Sequence, residues 1–142
     1  YLFALAKKEP LEYEIANFLI SPSYVSLESA LSYHGIITQF PYQITSVTIK
    51  KTREIKIGQK IYSFAKLKKP YFNDFIRQDN FLISSKQKTI FDYFYFAYRG
   101  LRTLNLLDEI DEKVIKNKKL KRYLKEKARG GFKRFLFKNR LI

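Results

Sequence analysis

The residues best equipped for chemistry in this sequence are its lysines and arginines, which are concentrated at the carboxyl end. Between Lys113 and Ile142 there are thirteen Lys and Arg residues and a single acid, Glu126. The preceding 112 residues hold fifteen basic and twelve acidic residues and are therefore nearly neutral. Ammonium and guanidinium groups attract polyanions such as nucleic acids, and this attraction weakens as salt is added. The composition therefore predicts a basic binding surface at the end of the chain.

Two clusters of basic residues are candidates for contact with nucleic acid or another partner. The first follows a predicted strand and comprises Lys50, Lys51 and Arg53. The second lies on predicted helices and comprises Lys118, Lys119, Lys121, Arg122, Lys125, Arg129, Lys133 and Arg134. Lys and Arg contacts to phosphate position a nucleic acid without reading its bases.

Other interpretations of the second cluster stay open. The same charges suit a solvated helix face or an acidic patch on a protein partner. Phe132, Phe135 and Phe137 are interleaved with them, a pattern that also occurs at lipid interfaces. No apolar run is long enough for a membrane helix, and we expect no membrane partner.

No set of residues has the spacing of a catalytic centre or a metal site. The chain has no cysteine and one histidine, His34, too few ligands for zinc, and the lack of cysteine is consistent with a cytoplasmic location. Glu54-Ile55-Lys56 has the Glu-x-Lys form of restriction-endonuclease-like nucleases, but no acid lies between Glu28 and Glu54 to supply the upstream ligand. We therefore expect no enzyme activity, no metal and no cofactor.

The elements that must position these residues indicate an α+β fold. Strands are predicted at Tyr1–Lys7, Ser23–Val25, Ile44–Lys50, Glu54–Ile57, Lys60–Leu67 and Asn80–Ile83. Helices are predicted from Pro10 to Ser21, and at Ser26–Tyr33, Lys86–Arg99, Glu112–Ala128 and Gly131–Asn139. Ser26 and Ser84 or Ser85 are the expected helix caps, and Gly58 is expected to turn a hairpin.

These elements predict a small mixed or antiparallel β-sheet packed against helices, followed by a basic pair of C-terminal helices. The helix Lys86–Arg99 is the most apolar element and is expected to lie in the core. We divide the chain into an α/β domain over residues 1–107 and a basic helical extension over residues 108–142. Because the sequence contains no Met and begins at Tyr1, we expect it to be a piece of a longer protein.

Several blocks, in order along the chain, resemble the AbiEi family of bacterial antitoxins. The segment Pro22–Gly35 resembles the family's signature, and Thr45-Ser46-Val47-Thr48 is similar to its "TSVTT" strand. Lys51-Thr52-Arg53 is similar to the "KRTR" that follows, and the segment from Ile83 to Asp92 resembles the family's "IATPEKALLDLLY" block. The resemblance covers about residues 1–100, and the basic tail has no matching motif.

The resemblance implies an antitoxin of a type IV toxin–antitoxin system, which acts in abortive infection and phage defence. In this family an N-terminal winged-helix domain binds promoter DNA. The next domain, which this chain resembles, neutralises a nucleotidyltransferase-like toxin and assists transcriptional autoregulation. The implied partners are promoter DNA, mainly through the N-terminal domain that this sequence lacks, and the toxin, without a stable complex. The alternative is a general nucleic-acid-binding regulatory module with no toxin partner.

Overall fold

Six strands form a single mixed sheet in the computed structural model, which describes the backbone of residues 2–142 and the side chains of residues 11–142. The strands are β1 (Ser23–Val25), β2 (Gln43–Thr48), β3 (Arg53–Ile57), β4 (Lys60–Lys66), β5 (Phe75–Gln78) and β6 (Phe81–Ser84). Their order across the sheet is β3-β4-β2-β1-β6-β5. The pairs β2–β4 and β1–β6 are parallel, and the other three pairs are antiparallel.

Six α-helices accompany the sheet over the described residues. They are α1 (Leu2–Leu19), α2 (Leu27–Tyr33), α3 (Lys86–Tyr98), α4 (Glu112–Ile115), α5 (Lys118–Lys127) and α6 (Gly130–Lys138). Short 3-10 segments occur at Lys69–Tyr71 and Leu104–Glu109. The sheet and its helices confirm the predicted α+β class. Among the described helices, none combines the length and the apolar character needed to cross a bilayer.

The alternation of side chains along the strands divides the interior into two cores, one on each face of the sheet. On one face, Tyr13 and Ala16 of α1 pack with Val25, Ile44 and Ile83 of the sheet. On the other face, α2 and α3 pack against the sheet, and α5 and α6 pack against α3. The fully buried members of this second core include Tyr24, Leu31, Val47, Phe91, Phe94, Leu124 and Leu136.

The C-terminal helices belong to this second core and are not separated from it. Leu120 and Leu124 of α5 and Phe132 and Leu136 of α6 are buried in the same cluster as Phe91 of α3. Each of the two helices turns its apolar stripe inward and its charges outward, as expected for amphipathic surface helices. The boundary between residues 1–107 and 108–142 stays a prediction.

Several local predictions are confirmed. The hairpin β3–β4 turns at Gly58, whose φ of 61° lies in the left-handed region that glycine adopts readily. Ser85 caps α3 by accepting a hydrogen bond from the backbone N of Lys88 at 3.2 Å. The helix α3 contributes buried residues along nearly its whole length, as its apolar composition predicts.

Other local predictions are wrong. The strand predicted at Tyr1–Lys7 is replaced by α1, which begins at Leu2 and continues through Pro10, while Tyr1 lies outside the described residues. The strand β5 has no counterpart among the predicted strands; it is four residues long and lies at a sheet edge. The helix predicted at Glu112–Ala128 is two helices, because the side chain of Asn117 caps α5 by accepting from the backbone N of Lys119 and Leu120.

Candidate nucleic-acid interface

The outer face of α5 carries a continuous stripe of basic side chains. Lys118, Lys121, Arg122 and Lys125 follow one another at helical spacing and together line a shallow depression of about 330 Å³. The opposite face of α5 holds the buried Leu120 and Leu124, which fix the orientation of the stripe. The helix therefore presents four cations to solvent on one side.

The remaining predicted cations of the C-terminal segment lie elsewhere on α5, on α6 and between the two helices. Lys119 lies on another side of α5, in a depression that it shares with Lys86 and Lys113. Lys133 is half-buried and Arg134 is exposed on α6. Arg129, between the two helices, is held locally, because its backbone N donates to Tyr71 Oη at 3.0 Å and its Nη1 donates to the Ala128 carbonyl at 2.9 Å.

The first predicted cluster, Lys50, Lys51 and Arg53, lies at the carboxyl end of β2. Since β2 and β4 are parallel, the end of β4 lies at the same edge, where the backbone N of Leu67 donates to the Thr48 carbonyl at 2.8 Å. Parallel pairing therefore adds cations that the sequence analysis missed. They are Lys66, Lys68 and Lys69, all of them exposed.

Lys68, just after β4, lies near Arg129 of the second predicted cluster. These two side chains, together with Arg99 at the end of α3, line one cavity. Arg99 is a further cation that sequence reasoning missed. Its position beside the start of α6 depends on the packing of α3 against that helix, for which sequence spacing carries no signal.

Among the described side chains, no carboxylate forms an ion pair with a candidate cation. The ion pairs between described side chains involve Lys60, Lys88, Arg102, Lys116 and Lys127, and none of the predicted binding residues takes part. With a net charge of +15 on the whole chain, these groups create a positive field that attracts polyanions.

A second group of polar residues is completely buried and joins two distant parts of the chain. Lys88 and Asp92, four residues apart on α3, form an ion pair with side chains 1% and 0% exposed. Tyr24 Oη lies 2.8 Å from Asp92 Oδ2, and Ser26 Oγ donates to the same oxygen at 2.8 Å. Lys88 Nζ also donates to Tyr24 Oη at 2.9 Å. We call Tyr24, Ser26, Lys88 and Asp92 the buried network.

Electrostatics determine the proton positions in the buried network. Burial, followed by the adjacent Asp92 carboxylate, raises the pKa of Tyr24 well above its ordinary value, so the phenol keeps its proton and donates it to Asp92. Burial raises the pKa of Asp92, while Lys88, Ser26 and Tyr24 counteract that rise. The Lys88 ammonium also lies 5.0 Å from the centre of the Phe91 ring, a cation–π contact.

Ser26 thus has a different role from the predicted one. It occupies the N-cap position of α2, but its side chain makes no capping hydrogen bond because it donates to Asp92 instead. The next residue, Leu27, is fully buried with a φ of 62°, a conformation that is unfavourable for a bulky side chain. The start of α2 is therefore fixed by contacts to α3 rather than by its own cap.

Further hydrogen bonds join α2 to the sheet. Thr45 Oγ1 donates to the Ser26 carbonyl at 2.6 Å and accepts from the backbone N of Ser29 at 2.9 Å. His34 Nε2 lies 2.8 Å from the Ser84 carbonyl, so this nitrogen carries the proton and donates it. Burial lowers the pKa of His34, which favours the neutral ring. The residues 22–35, 45–48 and 83–92 therefore form one hydrogen-bonded unit.

The Glu-x-Lys sequence lies on β3, an exposed strand at the sheet edge. Within the described part of the chain, no three His, Asp or Glu side chains are grouped in a way that could hold a metal ion. The absence of a metal, a cofactor and enzyme activity stays a prediction from the sequence.

Comparison of the chain with protein-family models, with curated proteins and with solved structures finds no match in any of the three.

Proposed function

We propose that this chain is the antitoxin domain of a bacterial type IV toxin–antitoxin system, of the AbiEi type, in abortive infection and phage defence. It neutralises a nucleotidyltransferase-like toxin and assists transcriptional autoregulation through its basic surfaces. The proposal starts from the sequence blocks that resemble this family. It places the protein in the cytoplasm, with promoter DNA and the toxin as its partners.

The observation that carries the proposal is the way in which the separate blocks meet in the fold. The signature segment Pro22–Gly35 supplies Tyr24 and Ser26 of the buried network, and the Ile83–Asp92 block supplies Lys88 and Asp92. Thr45, from the third block, bonds to Ser26 and Ser29. Contacts among three separate blocks support the interpretation that they define one inherited domain.

Co-expression with the protein encoded by the neighbouring reading frame tests this function. We expect a nucleotidyltransferase-like protein from that frame to arrest growth when expressed alone. Expression of residues 1–142 together with it is expected to restore growth. An arrest that persists, although the chain is present in soluble, folded form, contradicts the antitoxin proposal.

A second candidate function is a general nucleic-acid-binding regulatory module with no toxin partner. It is favoured by the stripe of Lys118, Lys121, Arg122 and Lys125 on α5, whose charges have no carboxylate partner among the described side chains. The neighbouring reading frame distinguishes the two functions, because a general binding module requires no toxin beside it.

Binding to duplex DNA is expected to depend on the α5 stripe. Reversing two of its charges, in Lys118→Glu with Arg122→Glu, is expected to weaken binding and to lower the slope of log affinity against log salt concentration by about two units, one for each lost phosphate contact. Fluorescence anisotropy with a labelled duplex, over a range of salt concentrations, measures both quantities.

The matched control reverses one lysine and one arginine at the two sheet edges, in Lys56→Glu with Arg77→Glu. Both residues are exposed and lie on β3 and β5. The control is expected to keep most of the salt slope. An equal effect of the two double variants would show that only total charge matters and that α5 is a solvated face.

A further inference from the structure

A cavity of about 390 Å³ opens between the end of β4, the end of α3 and the start of α6. Three cationic side chains line it, one from each of these regions: Lys68, Arg99 and Arg129. Its other walls are aromatic and are formed by Tyr95, Tyr98 and Phe132, with Gly130 and Gly131 on the side of α6. The volume falls in the range of about 300–1,000 Å³ that is typical of small-molecule sites.

The three cations are held in place without being neutralised. Arg99 Nη1 donates to Tyr95 Oη at 3.2 Å, and Lys68 Nζ lies 4.7 Å from the centre of the Tyr71 ring. Arg129 donates to the Ala128 carbonyl. None of these contacts is with a carboxylate, and no described acid lines the cavity. Each of the three side chains therefore has donors left for an anion.

The aromatic wall is partly open to solvent. Tyr98 is 39% exposed, and its ring packs at an angle against that of Phe132, with 5.7 Å between ring centres. Gly131 makes this position possible, because a Cβ atom at residue 131 would overlap Tyr98 Oη. An exposed ring beside three cations is the arrangement that accepts a planar base together with its phosphates.

We propose that this cavity binds a free nucleotide. Lys68, Arg99 and Arg129 contact the phosphates, and Tyr98 stacks against the base. Because the wall is aromatic, we expect a ligand with a planar base rather than a bare inorganic anion. The limited size of the cavity distinguishes it from an extended nucleic-acid strand. The inference does not rest on the proposed antitoxin function, since nucleotide binding is measured on the isolated chain without a toxin.

Isothermal titration calorimetry of the wild-type chain with ATP, at physiological salt, tests the site directly. We expect a dissociation constant below about 1 mM. The variant Lys68→Gln with Arg99→Gln is expected to weaken binding about tenfold or more, because it removes two charge-assisted contacts. The control Lys56→Gln with Arg77→Gln removes the same charges elsewhere and is expected to change affinity by no more than about twofold.

Two further arms identify the ligand. Tripolyphosphate, which lacks a base, is expected to bind about fivefold more weakly than ATP, and Tyr98→Leu is expected to weaken ATP binding by a similar factor. A four-nucleotide single-stranded DNA is expected to bind no more tightly than ATP. No ATP binding, equal losses in both double variants, tripolyphosphate binding as tight as ATP, or tight binding of the oligonucleotide alone would each overturn the proposal.

Discussion

Replacing Lys88 with methionine is expected to lower the free energy of unfolding by about 3–5 kcal/mol, because the substitution leaves Asp92 buried without its counter-charge. The size of the effect follows from burial, since neither side chain of the pair reaches solvent. Tyr24 also loses one of its two partners in the buried network. Chemical denaturation followed by circular dichroism measures the change, as a lower midpoint with a similar slope.

A matched control is available on the same helix. Lys86 begins α3 and is exposed, so Lys86→Met is expected to change the free energy of unfolding by no more than about 0.5 kcal/mol. Replacing both members of the pair, in Lys88→Met with Asp92→Leu, is expected to recover part of the loss, because no uncompensated charge then remains. Similar results for Lys88→Met and Lys86→Met would mean that the pair is hydrated in solution.

Replacing Phe132 with alanine is expected to lower the free energy of unfolding by about 3–5 kcal/mol, since it removes a buried ring from a close-packed core. Phe132 is 2% exposed, and its ring contacts those of Tyr71, Phe91, Tyr95 and Tyr98. These rings belong to the 3-10 segment and to α3, so the lost contacts are those between the basic helices and the rest of the fold.

Phe137, on the same helix, provides the comparison. It is 56% exposed, and Phe137→Ala is expected to cost less than about 1 kcal/mol. The difference between the two variants measures how strongly residues 108–142 are integrated into the main core. A small effect of Phe132→Ala, accompanied by a separate transition of the C-terminal segment, would support the division at residue 107 as a true domain boundary.

The parts of the fold that follow local rules were predictable from the sequence. The turn at Gly58 and the cap at Ser85 depend on residues close to each other in the chain, and both are confirmed. The strand β5 lacks such a signal, because it has only four residues and lies at an edge where three of them are exposed. The segment Tyr1–Lys7 alternates imperfectly, and helix α1 replaces the predicted strand from Leu2 onward.

The candidate sites depend more strongly on contacts between distant residues. The eleven basic residues of the two predicted clusters could be identified from charge alone, but their neighbours Lys66, Lys68 and Lys69 depend on the parallel pairing of β2 with β4. The strand β3 separates β2 from β4 in sequence, and a parallel pairing of this kind leaves no periodic pattern in the sequence. Lys88 and Asp92 have the four-residue spacing that is typical of an ion pair on a helix. The contact of this pair with Tyr24 has no such local signal in the sequence.

The position of β1 in the sheet affects how the chain can fold during its synthesis. Val25 pairs in parallel with Ile83, and the adjacent Tyr24 can form its hydrogen bond to Asp92 only after Asp92 has left the ribosome. A nascent chain that ends before these residues has no neighbour for one edge of β1 and leaves apolar side chains uncovered. Topologies in which strands pair with distant parts of the chain fold slowly, and they expose aggregation-prone apolar surface until that pairing forms. We therefore expect the emerging polypeptide to be a client for cotranslational chaperones until α3 has left the exit tunnel.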